Sequence, residues 1–332
     1  MTETRYDVTA IGNAIVDIIG RCDDAYLAEI GAAKGSMRLV DADTMSMIYG
    51  GMGPAIETSG GSAANTMAGV ASFGGKAGFI GRVADDEFGR FFAHDIRSIG
   101  VAFNGAPAAN SLPTSRSLIL VSPDGERTMN TFLGISTDID NSALDRDLIR
   151  DSAILYLEGY LFDRPGAKAA FREALSEAKR AGRKVALTLS DGFCVDRHRA
   201  EFLQLIRSGV DILFANENEI NALYETTNFD TAAGHARQDA KLAVLTRSAK
   251  GSVIFADGHS TAIPADPIAK VIDTTGAGDL YAAGFLFGYS KGLGTETAGR
   301  LASLAAAEII GHIGARPEVN LAQLARQRGL LS

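Results

Sequence analysis

Residues 273–285 read DTTGAGDLYAAGF. A carboxylate and two threonines lead into three small residues, which meet a second carboxylate, Asp279, where apolar residues begin to recur at helical spacing. The apolar pair before the segment, Val271 and Ile272, reads as the end of a strand. Glycine lets the chain turn sharply out of a strand, and an aspartate near a helix start satisfies unpaired N–H groups. The spacing thus predicts a strand, a tight turn and a helix whose first amides, at Gly276, Ala277 and Gly278, are free to hold an anion beside Asp279. A turn with an aspartate cap is the purely structural alternative.

Outward from this junction, short β-branched or apolar runs at 8–11, 77–80, 154–157, 185–189, 212–214 and 242–245 alternate with amphipathic stretches. DEFGRFFAHDIRSIG and PGAKAAFREALSEAKRAG are the clearest helices, the second with Pro165 near its start and Gly182 at its end. Such alternation predicts an α/β fold with a central, mostly parallel sheet flanked by helices. Ligands of these sheets sit outside the carboxyl ends of the strands, where loops run into helix N-termini. Two segments break the rhythm. SMRLVD near residue 36 and RSLILVSPDGERTMNTF at 116–132 read as strands, the second a hairpin turning at Pro123-Asp124-Gly125. They fit a small β-sheet lid over the ligand site, or else an edge extension of the main sheet.

The chain has 332 residues, 46% of them hydrophobic, with a mean hydropathy of +0.06. That is enough for a sizeable core. Its net charge of -8, with no basic cluster, argues against nucleic acid and against an anionic membrane surface. The N-terminal stretch lacks the basic and apolar pattern of a leader, and no apolar run reaches about 18 residues, so a soluble, cytoplasmic protein is expected. Cys22 and Cys194 are too far apart to indicate a disulfide framework or a zinc site. No GxxxxGK[ST] occurs, and Tyr281 stands where a dinucleotide fingerprint needs its third glycine, which disfavours P-loop enzymes and dehydrogenases.

An anion pocket beside a carboxylate points to phosphoryl transfer. Backbone donors can hold charge that builds on the transferred oxygens, while Asp279 accepts the proton of an attacking alcohol. A helix N-terminus is expected to lower the pKa of Asp279. A second glycine-rich stretch, ETSGGSAANTMAGVASFGGKAGFIGRVADDEFG, sets Gly60 and Gly61 ahead of a helix carrying Ser62 and Asn65 on one face, where they could hold a polyol. In GNAIVD, Asn13 and Asp17 are placed to grip a vicinal diol, since one carboxylate accepts from two hydroxyls.

These two long motifs, in this order, resemble those of the ribokinase family of carbohydrate and nucleoside kinases, also called the PfkB family. NENE at 216–219 and LTRSAKG at 245–251 extend the likeness over nearly the whole chain. The resemblance implies one ribokinase-like kinase unit over 1–332. A large α/β domain would span about 1–12, 53–105 and 134–332, with lid segments at about 13–52 and 106–133. It also implies ATP as phosphoryl donor, Mg²⁺, and a hydroxymethyl acceptor. By motif, Asp279 matches the catalytic base and Gly276, Ala277 and Gly278 the anion hole. Asn216 and Glu219 match an element that organises Mg²⁺ largely through water, and Thr246, Gly251 and Thr275 match the nucleotide site. The family often has glycine where Ser248 stands. Some relatives bind a monovalent cation, and Asp273 and Thr275, with backbone carbonyls near Gly314 and Ala315, match the place K⁺ would take.

GNAIVD, GGSAANT and MNTFLG look most like adenosine-kinase-type sequences, which implies adenosine as acceptor, with Asn13, Asp17 and Asn65 on the ribose and Phe132 and Leu133 beside the purine. A free sugar of the ribose, fructose or 2-keto-3-deoxygluconate type is the alternative, and a catalytically inactive binding protein of the same fold is a third. For a sugar-phosphate acceptor, Arg116 and Arg127 in the hairpin would supply the cationic grip, unless they are solvated or paired with nearby acids. Relatives act as a monomer or homodimer.

Overall fold

The structure is a computed structural model that describes residues 4–109 and 112–332. The chain weaves between two sheets. β1 (Tyr6–Ile11) belongs to a large one, and β2 (Ile15–Arg21), β3 (Met37–Leu39) and β4 (Ala55–Gly60) to a small one. β5 (Ala77–Ile80) and β6 (Val101–Ala102) return to the large sheet, then β7 (Ser115–Val121) and β8 (Arg127–Phe132) to the small one. The large sheet is completed by β9 (Ser152–Glu158), β10 (Lys184–Thr188), β11 (Ile212–Asn216), β12 (Leu242–Thr246), β13 (Ser252–Ala256) and β14 (His259–Ile263).

The large sheet runs β14-β13-β12-β11-β10-β9-β1-β5-β6. From β12 to β6 every pairing is parallel, and β13 and β14 add an antiparallel edge. Strands covered on both faces must be apolar throughout, which is why ILYL in β9 and ILFA in β11 show no polar alternation. Successive residues feed two cores: Val8, Ala10, Tyr156 and Phe214 lie in one, and Leu155, Leu157, Leu213 and Leu245 in the other. Strand order reverses beside β1, with β5 on one flank and β9 on the other. A crevice is expected at such a switch point.

Two helices line it, and a third backs them. Ser62–Ser72 and Ala277–Ser290 pack so closely that a Cβ on Gly69 would lie 2.5 Å from that of Ala283. Helix Ala277–Ser290 is buried from Leu280 to Gly288, and Gly284 and Gly288 let Thr295–Ile309 approach its other side. A helix apolar all round needs such enclosure.

The small sheet runs β3-β8-β7-β2-β4. The hairpin turns at 123–125, with Gly125 at φ +88. The expected division of the chain needs one correction. β4, left in the large domain by the sequence reading, pairs with β2 along its whole length, so the small sheet extends to Gly60. Residues 1–3 and 110–111 of that division lie outside the described residues. A second correction concerns Val271 and Ile272, which form no strand and are about half exposed. Among the described residues, no helix is long and apolar enough to cross a membrane.

Candidate active site

Asp279 is the third residue of its helix, preceded by Gly276 in the left-handed region at φ +79. A side chain at 276 would press on Ala315, 3.0 Å from a Cβ placed there. Among the described residues, the N–H groups of Gly276 and Gly278 meet no acceptor. That of Ala277 does: it closes the turn onto the Thr274 carbonyl at 3.2 Å, so two of the three expected amides remain for an anion.

The half-buried carboxylate of Asp279 is held by the facing helix. Ser62 Oγ donates to its Oδ1 at 2.6 Å and Asn65 Nδ2 to its Oδ2 at 3.1 Å. The same-face spacing of Ser62 and Asn65 thus serves the Asp279 carboxylate itself. Asn65 Oδ1 remains buried and without a partner. Burial raises the Asp279 pKa, against the lowering by Ser62, Asn65 and Arg316, which corrects the expectation of a pKa depressed by the helix N-terminus. Desolvation in the closed cleft outweighs the helix end.

Asn13 and Glu158 meet at the switch point, where β1 and β9 end. Glu158 Oε1 accepts from Asn13 Nδ2 at 2.6 Å and from the Asn13 N–H at 3.2 Å, and Oε2 accepts from the Ala63 N–H at 2.9 Å. Ser136 Oγ donates to Asn13 Oδ1 at 2.9 Å. Asn13 is therefore engaged on both ends of its amide, and its neighbour Glu158 was not marked by any motif. Burial pushes the Glu158 pKa up to about 7.

Asp17 lies on the lid face turned to the cleft, half-buried, its pKa raised to about 7 by burial against the pull of Arg316 and Arg127. Gly60 sits directly against it, where a Cβ would fall 2.2 Å from Asp17 Oδ2. Gly61, at φ +99, similarly abuts the Asn13 carbonyl. Arg316 was also missed. It donates from Nε to the Ser59 carbonyl at 2.9 Å and from Nη1 to that of Ala64 at 3.1 Å, and its charge acts on both Asp17 and Asp279. No local pattern marks either Glu158 or Arg316, since each finds its partners across more than 90 residues.

Paired residues on neighbouring strands share a face. One row across the lid is Leu39, Thr131, Ser117, Asp17 and Thr58, and the next is Met37, Met129, Ile119, Ile19 and Ile56. The first is mostly polar and the second wholly apolar. Phe132 belongs to the opposite face, paired with Arg116 and packed in the core, so the expectation that it stacks on a purine is corrected by the alternation of β8. Arg116 points the same way, over the Phe88 ring at 4.8 Å. Both hairpin arginines are buried, not solvated.

At the expected K⁺ site, Asp273 is buried and paired with Arg127 of β8. The Gly314 N–H also donates to it at 3.1 Å, as does that of Thr275 at 3.0 Å. The Asp273 carboxylate that the expected site shares with Thr275 and the carbonyls near Gly314 and Ala315 thus meets a guanidinium and two backbone donors.

Asn216 and Glu219 form a capping box at the start of helix Glu217–Leu223, and burial lifts the Glu219 pKa to about 7. No cluster of three or more metal-ligating acids, histidines or cysteines occurs among the described residues. Thr246 ends β12 beside Asn216 of β11, and Gly251, at φ +79, presses on the Ile263 carbonyl. Ser248 adopts φ +51, a conformation that suits the glycine often found there. Two cavities of about 420 and 430 Å³ lie outside this cleft, one by Gly81 and Asn104, the other between residues 266–272 and helix Thr295–Ile309.

Residues 56–321 match the sequence profile of the pfkB family carbohydrate kinases. The chain belongs to this family. It is an ATP-dependent phosphotransferase with a ribokinase-like fold. Among solved structures it is similar to an adenosine kinase from Sinorhizobium meliloti, 53% identical over 98% of this chain and 99% of that one, with a TM-score of 0.90. A probable sugar kinase from Rhizobium etli CFN 42 is 47% identical over 99% of this chain and 100% of that one, with a TM-score of 0.91. A 5-dehydro-2-deoxygluconokinase from Lacticaseibacillus casei is 26% identical over 96% of this chain and 94% of its own length.

Proposed function

We propose that this PfkB-family kinase transfers the γ-phosphoryl group of ATP to the 5′-hydroxyl of adenosine. The observation that carries the acceptor is the layering of the lid face. A polar row holding Asp17, Ser117 and Thr131 suits a ribose, and the adjoining apolar row of Ile19, Ile119 and Met129 suits a flat base, which a free sugar does not have. The 53% identity to an adenosine kinase supports the same reading.

Asp279 accepts the hydroxyl proton as the oxygen–phosphorus bond forms and the bond from the γ-phosphorus to the ADP oxygen breaks. The Gly276 and Gly278 amides hold the equatorial oxygens, and Thr246, Gly251 and Thr275 lie toward the nucleotide. Mg²⁺, when bound to the phosphates, neutralises charge that builds on them. Asn65 Oδ1, buried and unpartnered, accepts from a sugar hydroxyl. Closing the lid keeps water from the phosphoryl group.

The test is turnover by the purified enzyme with MgATP and, in turn, adenosine, ribose, fructose, fructose 6-phosphate and 2-keto-3-deoxygluconate. Adenosine is expected to give the highest kcat/KM. A free sugar turned over while adenosine is inert would replace this acceptor.

A further inference from the structure

Asp273 opens the loop that carries the anion hole. Its side chain and that of Arg127 are 6% and 7% exposed, so the two charges meet out of water. Every group aimed at the carboxylate is a donor: the Arg127 guanidinium, the Gly314 N–H at 3.1 Å and the Thr275 N–H at 3.0 Å. A monovalent cation needs oxygens around it, and a guanidinium that already occupies the carboxylate would repel it. The residues here do not fit a potassium site.

We propose that the Arg127 guanidinium does the work of a monovalent cation, making Arg127 a positioning residue for phosphoryl transfer. Its charge holds Asp273 in place. Asp273 in turn fixes the Thr275 N–H, one residue before the turn whose amides face the migrating phosphate. Arg127 comes from the lid and Asp273 and Gly314 from the large unit, so the anion hole takes its working shape only when the lid is closed. Without Arg127, the buried carboxylate is left uncompensated and gains a vacancy that a small cation can enter. The inference rests on the 273–278 loop being the phosphoryl site, and not on which alcohol is the acceptor.

The experiment compares wild type, Arg127→Met and Arg127→Lys in potassium, sodium and tetramethylammonium chloride at equal ionic strength. Turnover is measured with whichever acceptor is active, and thermal midpoints are measured without substrate. Wild type is expected to run equally fast in all three salts. Arg127→Met is expected to lose kcat by roughly 100-fold, the scale of a catalytic group misplaced by about 1 Å, and to regain part of it in potassium alone. Its midpoint should rise with potassium, while Arg127→Lys stays close to wild type and indifferent to the salt. A wild-type rate several-fold higher in potassium than in tetramethylammonium would overturn the proposal, and that arm needs no variant to fold. So would an Arg127→Met enzyme whose rate and midpoint both ignore potassium. Inactivity toward adenosine alone would change the acceptor and leave this result readable.

Discussion

Asp279 combines two properties that a proton acceptor needs. Burial lifts its pKa above the ordinary aspartate value, which makes it a better base, and hydrogen bonds from Ser62 and Asn65 keep the ionised form accessible. Replacing it by asparagine preserves the shape and removes the base. Asp279→Asn is expected to lower kcat by about 10²- to 10⁴-fold while the thermal midpoint stays level or rises, because a desolvated charge is gone. Steady-state kinetics and a melting curve on the same preparation check both halves, and near-normal turnover would reassign the base. The residues of this loop were legible because small residues before a carboxylate at a helix start form a local pattern. The Ala277 amide was misjudged because the four-residue turn that Gly276 makes possible at φ +79 returns that N–H to the Thr274 carbonyl.

Helix Ser62–Ser72 begins at a glycine and has no side-chain cap of its own. Glu158, at the end of β9, supplies one by taking the Ala63 N–H, and it ties the end of β1 to the same point through Asn13. The arrangement carries a pH signature. The Glu158 pKa rises on folding from 4.5 to about 7, so its contribution to stability is fully present below 4.5 and is lost as pH rises through about 7. The loss amounts to about 3 kcal/mol. Glu158→Gln cannot titrate, and its amide N–H₂ sets donors against N–H groups that Glu158 accepts from, so it should be less stable than wild type at pH 4.5, with the gap narrowing toward pH 8. Urea unfolding across that range measures it, and a constant gap would show that Glu158 is ionised throughout. At this scale the parallel strands were legible from their apolar runs. β4 was not, because AIETSG is polar and its first residues are exposed, and β13 and β14 were passed over although Asp257-Gly258 between them is a hairpin signal.

Across the whole molecule, the site draws Asp17 from the lid, Glu158 from the middle of the chain, and Asp279 and Arg316 from its last fifth. Asp279 raises the cost of ionising Asp17, and Arg316 is a cation whose charge favours the ionised form of both. No stretch of sequence could announce that balance, since the fold alone sets the separation between a lid strand and a C-terminal loop. It can be read in the pH profile. Asp279 must be ionised to take the proton, so kcat/KM falls on the acid side as it becomes protonated. Removing Arg316 takes away charge that favours the ionised form, and the acid limb should move upward. Arg316→Met also loses bonds to the Ser59 and Ala64 carbonyls, so the profile is taken well below its melting temperature and beside Arg316→Lys, which keeps the charge. The methionine variant should show the shifted limb and the lysine variant should not. If the limb stays put in both, the ionisation that governs the rate lies beyond the reach of Arg316, and the coupling between the C-terminal loop and the base is structural alone.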